Sequence, residues 1–295
     1  MPTLHLERLP VTPQSEQSVD WLMGKLDWGK TLRSWIPSGF EGYVRVLHPA
    51  SIDIGRERST SNVPVPWATV SQWSGKPLHA TSHIQDLMLR LDGHDWRQQG
   101  EGGQEPNQGE MDRESLSCLL AHLSESGTTS DQIWMLLWFG YGGAADAIGL
   151  PIKVSEQLTG SGRQYVLRLG EIVSSEEEHR DSLFEHPPSF YWPTDRSWFV
   201  SCDIDASSTY VGGSKKLIEQ IMKDPSLETF AAHLDDPHGG LYVSNPAVER
   251  ENDYVLPRFR LWPFRYRFHI RKGRKSYGSV SLYRKRRWWE LGRRR

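Results

Sequence analysis

The chain has 295 residues, 37% hydrophobic and 24% charged, with a formal net charge of −2; it is long enough to bury a large core as one large domain or two small ones, and its composition is that of an ordinary globular protein. Its longest uninterrupted apolar run, Ile133 to Phe139, is seven residues, far short of the roughly 20 that a membrane-spanning helix needs. Cys118 and Cys202, the two cysteines, make neither a disulfide framework nor a zinc-type spacing. The opening "MPTLHLERLP" lacks the basic start and apolar stretch of a secretory signal, so the expectation is a cytoplasmic protein with no transmembrane segment.

The small net charge hides two opposed parts. From Arg258 to Arg295 there are 15 lysines and arginines against one acid, Glu290, which leaves 20 basic and 36 acidic residues before that point. A basic segment appended to an acidic body reads as an arm for nucleic acid, for a membrane surface or for the protein's own acidic face.

Along the chain, helix and strand signals alternate. Val19, Leu22, Met23 and Leu26 recur at helical spacing. "GYVRVLH" is β-rich and ends at Pro49, as a strand would. Pro66 is placed for the first turn of a short helix through Trp67, Val70 and Trp73, stopped by Gly75. Ile84, Leu87, Met88 and Leu91 form another helical stripe, and Ser82 with Gln85 has the spacing of a capping box. The segment 92–110 holds five glycines, one proline and almost no apolar residues; with little to bury against its ordering entropy, it is expected to be a flexible loop.

After that loop, Asp112 can cap a helix whose Leu116, Leu119, Leu120 and Leu123 face a core, with Gly127 as the stop. "QIWMLLWFGYGG" is apolar on both faces and belongs in the middle of a sheet. "RQYVLRLGEI" and "SWFVSCDI" read as further strands, separated by the acidic, proline-ended loop "SSEEEHRDSLFEHPP". In "DASSTYVGGSKKLIEQIMKDP", Gly212 and Gly213 read as a turn, Ser214 as a cap, and Leu217, Ile218, Ile221 and Met222 as the buried face of a helix that stops near Pro225.

Sites with chemical content are few. Free backbone N–H groups at the start of that helix, with Gly212, Gly213, Ser214 and Lys215 around them, are a weak candidate for anion binding; the nucleotide-loop pattern G-x-x-x-x-G-K-[ST] is absent. Asp203 and Asp205, two apart at a strand end, share a face and are weak candidates for a hard cation. His233, Asp235, Asp236 and His238 form a second cluster, although Asp-Pro followed by Gly-Gly is above all a turn signal. No catalytic constellation is evident: G-x-S-x-G, H-E-x-x-H and a nucleophilic cysteine context are all missing, and no cofactor is implied. The 13 tryptophans read first as core and loop anchors, and second as the lining of a recognition groove.

The runs "FEGYVRVLHPA", "WATVSQWSG" and "LLWFGYG", and above all "FYWPTDRSWFVSCDIDASSTYVGGSKKLIEQIMKDPSLE", resemble a family of cytoplasmic proteins from high-GC Gram-positive bacteria. Its members have about 250 residues, the upper range of one domain. The resemblance spans about residues 36–245. No activity is assigned to the family, so the resemblance carries over no catalytic residue; it implies that the acidic body is the whole domain.

The expected architecture is a single α+β domain over 1–250, a mixed or antiparallel sheet packed by several helices, followed by a basic aromatic tail at 251–295. In the tail, Phe264, Tyr266, Phe268 and Ile270 alternate with arginines and a histidine, as in a strand or hairpin with an aromatic and a cationic face. Such a ribbon could bind nucleic acid through Arg265, Arg267, Arg271, Lys272, Arg284, Arg286 and Arg287. It could also dock on the acidic body, or be the product of a shifted reading frame in GC-rich DNA. For function the leading expectation is a non-enzymatic binding or regulatory protein with a protein partner, by analogy with bacterial immunity proteins. The alternatives are nucleic-acid binding through the tail, and an enzyme or nucleotide-binding protein using Asp203, Asp205 and Gly212 to Lys216.

Overall fold

The fold is taken from a computed structural model that describes residues 3–6, 19–22, 25–26, 31–53, 62–90, 92–97, 103–127, 132–140, 163–173 and 187–237, together with the strand backbones at 254–255, 264–268 and 280–284. It is α+β with antiparallel sheets. Nine strands form the main sheet: β1 (Thr3–Leu6), β2 (Gly42–Leu47), β6 (Gln132–Trp138), β7 (Tyr165–Val173), β8 (Phe190–Pro193), β9 (Phe199–Ser201), β10 (Ser208–Gly213), β11 (Thr229–Ala231) and β12 (Tyr254–Val255). Their order is β1-β7-β6-β8-β9-β10-β2-β11-β12. All the pairings are antiparallel, so among the described residues the mixed alternative is not needed. β12 adds to β11 beyond residue 250, so the sheet runs past the expected domain end.

β6 lies between β7 and β8, as its two apolar faces require. Ile133 and Met135 join one core cluster, while Leu136 joins another with Trp134 and Trp138 packed on it. The first face is covered by two helices, α3 (Arg113–Ser124) and α4 (Lys215–Lys223). α3 starts where Asp112 accepts a hydrogen bond from Ser115 N at 3.0 Å. α4 puts Leu217, Ile218 and Ile221 into the core and leaves Lys215, Lys216, Glu219 and Gln220 exposed; each such buried side chain contributes about 1.5–3 kcal/mol. The opposite face is covered by the N-terminal segment, through Val19, Leu22, Leu26, Leu32 and Ile36.

A small module packs beside that segment, against Leu47 and Phe230 of the sheet. It comprises strands β3 (Ala50–Asp53), β4 (Asn62–Val65) and β5 (Gly103–Gln104) in the order β4-β3-β5, with helices α1 (Trp67–Ser74) and α2 (Ile84–Met88). α1 ends at Gly75, whose φ of 75° is the left-handed cap that glycine supplies cheaply. α2 is shorter than its stripe: the capping box does not form, because Ser82 Oγ accepts from His79 N at 2.8 Å and His83 takes the cap position without a side-chain bond. Leu89 then turns into a β-bridge with Asp95.

Of the expected loop 92–110, residues 92–97 and 103–110 are described, and they are built differently from what its composition suggests. Arg97 ties Asp95 to Glu105, β5 pairs with β3, and Gly103 lies so close to Trp96 that a Cβ there would sit 2.6 Å from the indole. Gly109, at φ 69°, would place a Cβ 2.6 Å from Ile204 Cα. Gly103 and Gly109 therefore permit close approach, and burial of Trp96 and Met111 offsets the ordering entropy of the described residues. Gly212 and Gly213 are likewise the end of buried β10, not a turn. The acidic loop at 174–186 and most of the tail lie outside the described residues.

Candidate functional site

Asp203 and Asp205 are brought together, but Arg163 sits on both. Its Nη1 donates to Asp203 Oδ2 at 2.6 Å and its Nη2 to Asp205 Oδ2. Asp203 Oδ1 also accepts from Asp205 N at 3.0 Å. The two carboxylates thus form an ion-pair knot at the end of β9. Burial pushes the neighbouring Tyr165 phenol up, with the Asp203 charge adding to it.

The start of α4 is answered from within as well. Ser214 Oγ accepts from Leu217 N at 3.3 Å, and Glu41 Oε2 accepts from Lys215 N at 2.9 Å. A carboxylate of the chain itself stands where the sequence suggested an external anion, as the dipole and free N–H groups favour. In the third cluster, His233 N donates to Asp236 Oδ2 at 2.8 Å, closing a turn, while Asp235 pairs with Arg33 at 2.9 Å; His238 lies outside the described residues. Among the described residues no group of three or more His, Cys, Asp or Glu side chains is placed to hold a metal ion.

Cys202 and His48 meet inside the protein, with Sγ 3.9 Å from Nε2. His48 Nδ1 lies 3.3 Å from the Asn107 carbonyl and Nε2 2.9 Å from Thr209 Oγ1. A carbonyl only accepts, so Nδ1 carries the proton and Thr209 donates to Nε2. Burial lowers the imidazole to about 4 and raises the Cys202 thiol to about 12. Both groups are neutral at pH 7, so the pair holds no thiolate nucleophile.

Two arrangements were not visible in the sequence. The first is on the outer side of the small module. Trp73, half-buried, has Trp96 at 5.8 Å, His94 at 6.0 Å and the Arg90 guanidinium over its ring at 5.5 Å. Leu89, next to Arg90, is 40% exposed, the one exposed large hydrophobic side chain among the described residues. The second lies between the module and the sheet. Arg45, in the middle of β2 and buried, donates from Nε to Ser208 Oγ at 2.9 Å and from Nη1 to the carbonyls of Ala80 at 2.6 Å and Ser82 at 3.0 Å. Its guanidinium lies 5.2 Å from the Trp67 ring and 6.0 Å from that of Tyr210. Its one sequence signal was an arginine alternating with Tyr43 and Leu47 on a face that should be apolar.

Trp67, Trp192 and Trp198 are fully buried and Trp96 nearly so, which accords with the core reading of these tryptophans. Trp21, Trp35, Trp73, Trp134 and Trp138 are half-buried. Comparison with protein-family models, with curated proteins and with solved structures finds no match. No described helix is long and apolar enough to cross a membrane.

Proposed function

We propose that the protein is a non-enzymatic binding or regulatory protein that recognises a protein partner, as an immunity protein does. The observation that carries this reading is the Trp73, Leu89, Arg90 and His94 surface. Tryptophan and arginine contribute disproportionately to binding energy at interfaces, and Leu89 leaves apolar area that a partner would remove from water. The cytoplasmic setting and the likeness to a family from high-GC Gram-positive bacteria belong to the same proposal. The enzyme reading is weaker, because Arg163 and Glu41 already occupy the groups that Asp203, Asp205 and the start of α4 would offer.

The test is co-purification from source cells with the wild-type chain and with Leu89→Asp, both checked by thermal unfolding. The expected result is a protein that accompanies the wild type in fixed proportion and is absent from the equally stable variant. A partner retained by Leu89→Asp, or none with either chain, would sink this reading.

A second reading, nucleic-acid binding through the tail, draws support from one pairing. β13 (Phe264–Phe268) and β14 (Val280–Arg284) form an antiparallel two-stranded ribbon with Phe264 opposite Arg284, Arg265 opposite Tyr283 and Arg267 opposite Ser281. This sets cationic and aromatic residue types across from one another, as single-strand binding favours. Arg271, Lys272, Arg286 and Arg287 lie outside the described residues.

A further inference from the structure

We propose that Arg45, Tyr210 and His83 form a binding site for the carboxylate or phosphate group of a small ligand, between the main sheet and the small module. A guanidinium is charged at every accessible pH, and a buried charge is costly unless it is paired. Arg45 is 5% exposed, yet among the described residues no carboxylate lies within ion-pairing distance of it. The Ser208 hydroxyl accepts from Nε, two carbonyls accept from Nη1 and the Trp67 and Tyr210 rings lie beside the guanidinium, and no counter-charge follows. Nη2 keeps its two N–H groups unbonded among the described residues; unlike the Trp198 indole nitrogen, it is not sealed from solvent.

Two further groups stand unbonded on the same side. Tyr210 pairs directly across from Arg45 in the β10–β2 register, so both side chains project from one face of the sheet. Its hydroxyl has no hydrogen-bond partner among the described residues and is not sealed from solvent. His83 caps α2, immediately after the Ser82 carbonyl that Arg45 binds. Burial, with the Arg45 charge second, lowers its imidazole below the usual value, so at pH 7 a neutral ring with one N–H stands within electrostatic reach of the guanidinium. Asp236 acts on Tyr210 and Asp86 on His83; neither pairs with Arg45. The two N–H groups of one guanidinium nitrogen, a phenol and an imidazole N–H are a donor set for an oxyanion. The ligand supplies the negative charge that the fold leaves out. The site shares no residue with the Trp73 and Leu89 surface and does not rest on the protein-partner reading.

The experiment is isothermal titration of the full chain with inorganic phosphate and, separately, with sodium acetate at fixed ionic strength. Wild type, Tyr210→Phe, His83→Asn and Arg45→Lys are compared, each checked by thermal unfolding. The expected result is saturable one-to-one binding of one probe, weakened about tenfold by Tyr210→Phe, as loss of a hydrogen bond to a charged group implies. Preference for phosphate names a phosphorylated ligand, and preference for acetate a carboxylic acid. If Arg45→Lys fails to fold, the two milder variants decide alone. Absence of saturable binding overturns the proposal. So does binding that survives both Tyr210→Phe and His83→Asn, since it would then belong elsewhere, such as the arginine-rich tail.

Discussion

Glu228 holds the first turn of α1 from outside the helix: its Oε2 accepts from Trp67 N at 2.7 Å and its Oε1 from Ala68 N at 2.8 Å. Pro66, at the cap position, has no side chain able to do this, so the orphan donors at the helix start are met by a carboxylate next to β11. The same residue's carbonyl receives Leu47 N at 2.9 Å, which binds the module to the sheet on both sides of one residue. A negative charge at this end of the helix also opposes its dipole.

Glu228→Ala should therefore destabilise the protein by more than a surface substitution does. Two hydrogen bonds to a buried charged acceptor contribute about 1.5–3 kcal/mol each at most, and Glu228→Gln should retain part of that. Urea unfolding reads the difference. A loss within a few tenths of a kcal/mol for Glu228→Ala would show that α1 does not depend on it.

Acid sensitivity should arise first at His48. Its folded-state value of about 4 lies below the usual 6.5, so the folded protein holds the neutral ring while the unfolded chain takes up a proton. Stability from this site is complete above about pH 6.5. It falls as pH drops from there towards 4 and then levels off, by about 3 kcal/mol in total at 1.36 kcal/mol per pH unit. Unfolding free energies measured from pH 8 to 4 for wild type and His48→Gln should converge as pH falls. Parallel curves would place the acid-sensitive group elsewhere.

Below that range Asp95 takes over. The Arg97 side chain holds its carboxyl at about 2 against a usual 3.8, with burial acting the other way. Its contribution is present above about pH 4 and is lost as pH falls towards 2. Asp95→Asn should remove the corresponding part of the acid transition and loosen the 92–97 turn, which hydrogen exchange of its amides would report.

Ser214 and Glu41 divide the start of α4 between them. Ser214→Ala should cost about 1 kcal/mol and Ser214→Gly only a few tenths. Glu41→Gln should cost less than about 1 kcal/mol, because the Lys215 N–H it receives is exposed. If added phosphate stabilised Glu41→Gln but not the wild type, the helix start would be an anion site normally filled by the chain's own carboxylate.

These sites show where the sequence was legible. Periodicity located β2, β6, α3 and α4, and the caps at Asp112, Ser214 and Gly75, because those signals are local and the partners lie within four residues. The groups that occupy the candidate sites were not legible, because their partners are distant: Arg163 reaches Asp203 across 40 positions, Glu41 reaches Lys215 across 174, and Glu228 reaches Trp67 across 161. Composition misjudged residues 92–97 and 103–110 for the same reason. Their order comes from ion pairs around Arg97 and from the contact of Gly103 with Trp96, none of which adds apolar residues to the segment itself.

The tail makes the last prediction. Since β12 at Tyr254–Val255 pairs with β11, a shortened chain should end at Pro257 to keep the sheet edge intact. Fifteen basic residues after that point predict that the full chain binds single-stranded nucleic acid with an affinity falling steeply between about 50 and 200 mM salt, as release of counterions requires. The chain ending at Pro257 should fold with the same thermal midpoint and lose that binding. Intact mass from source cells is the companion measurement. A native mass that omits the arginine-rich end removes the nucleic-acid reading, and a native mass that includes it, with salt-sensitive binding lost on shortening, assigns that binding to the tail and leaves the acidic body for its partner.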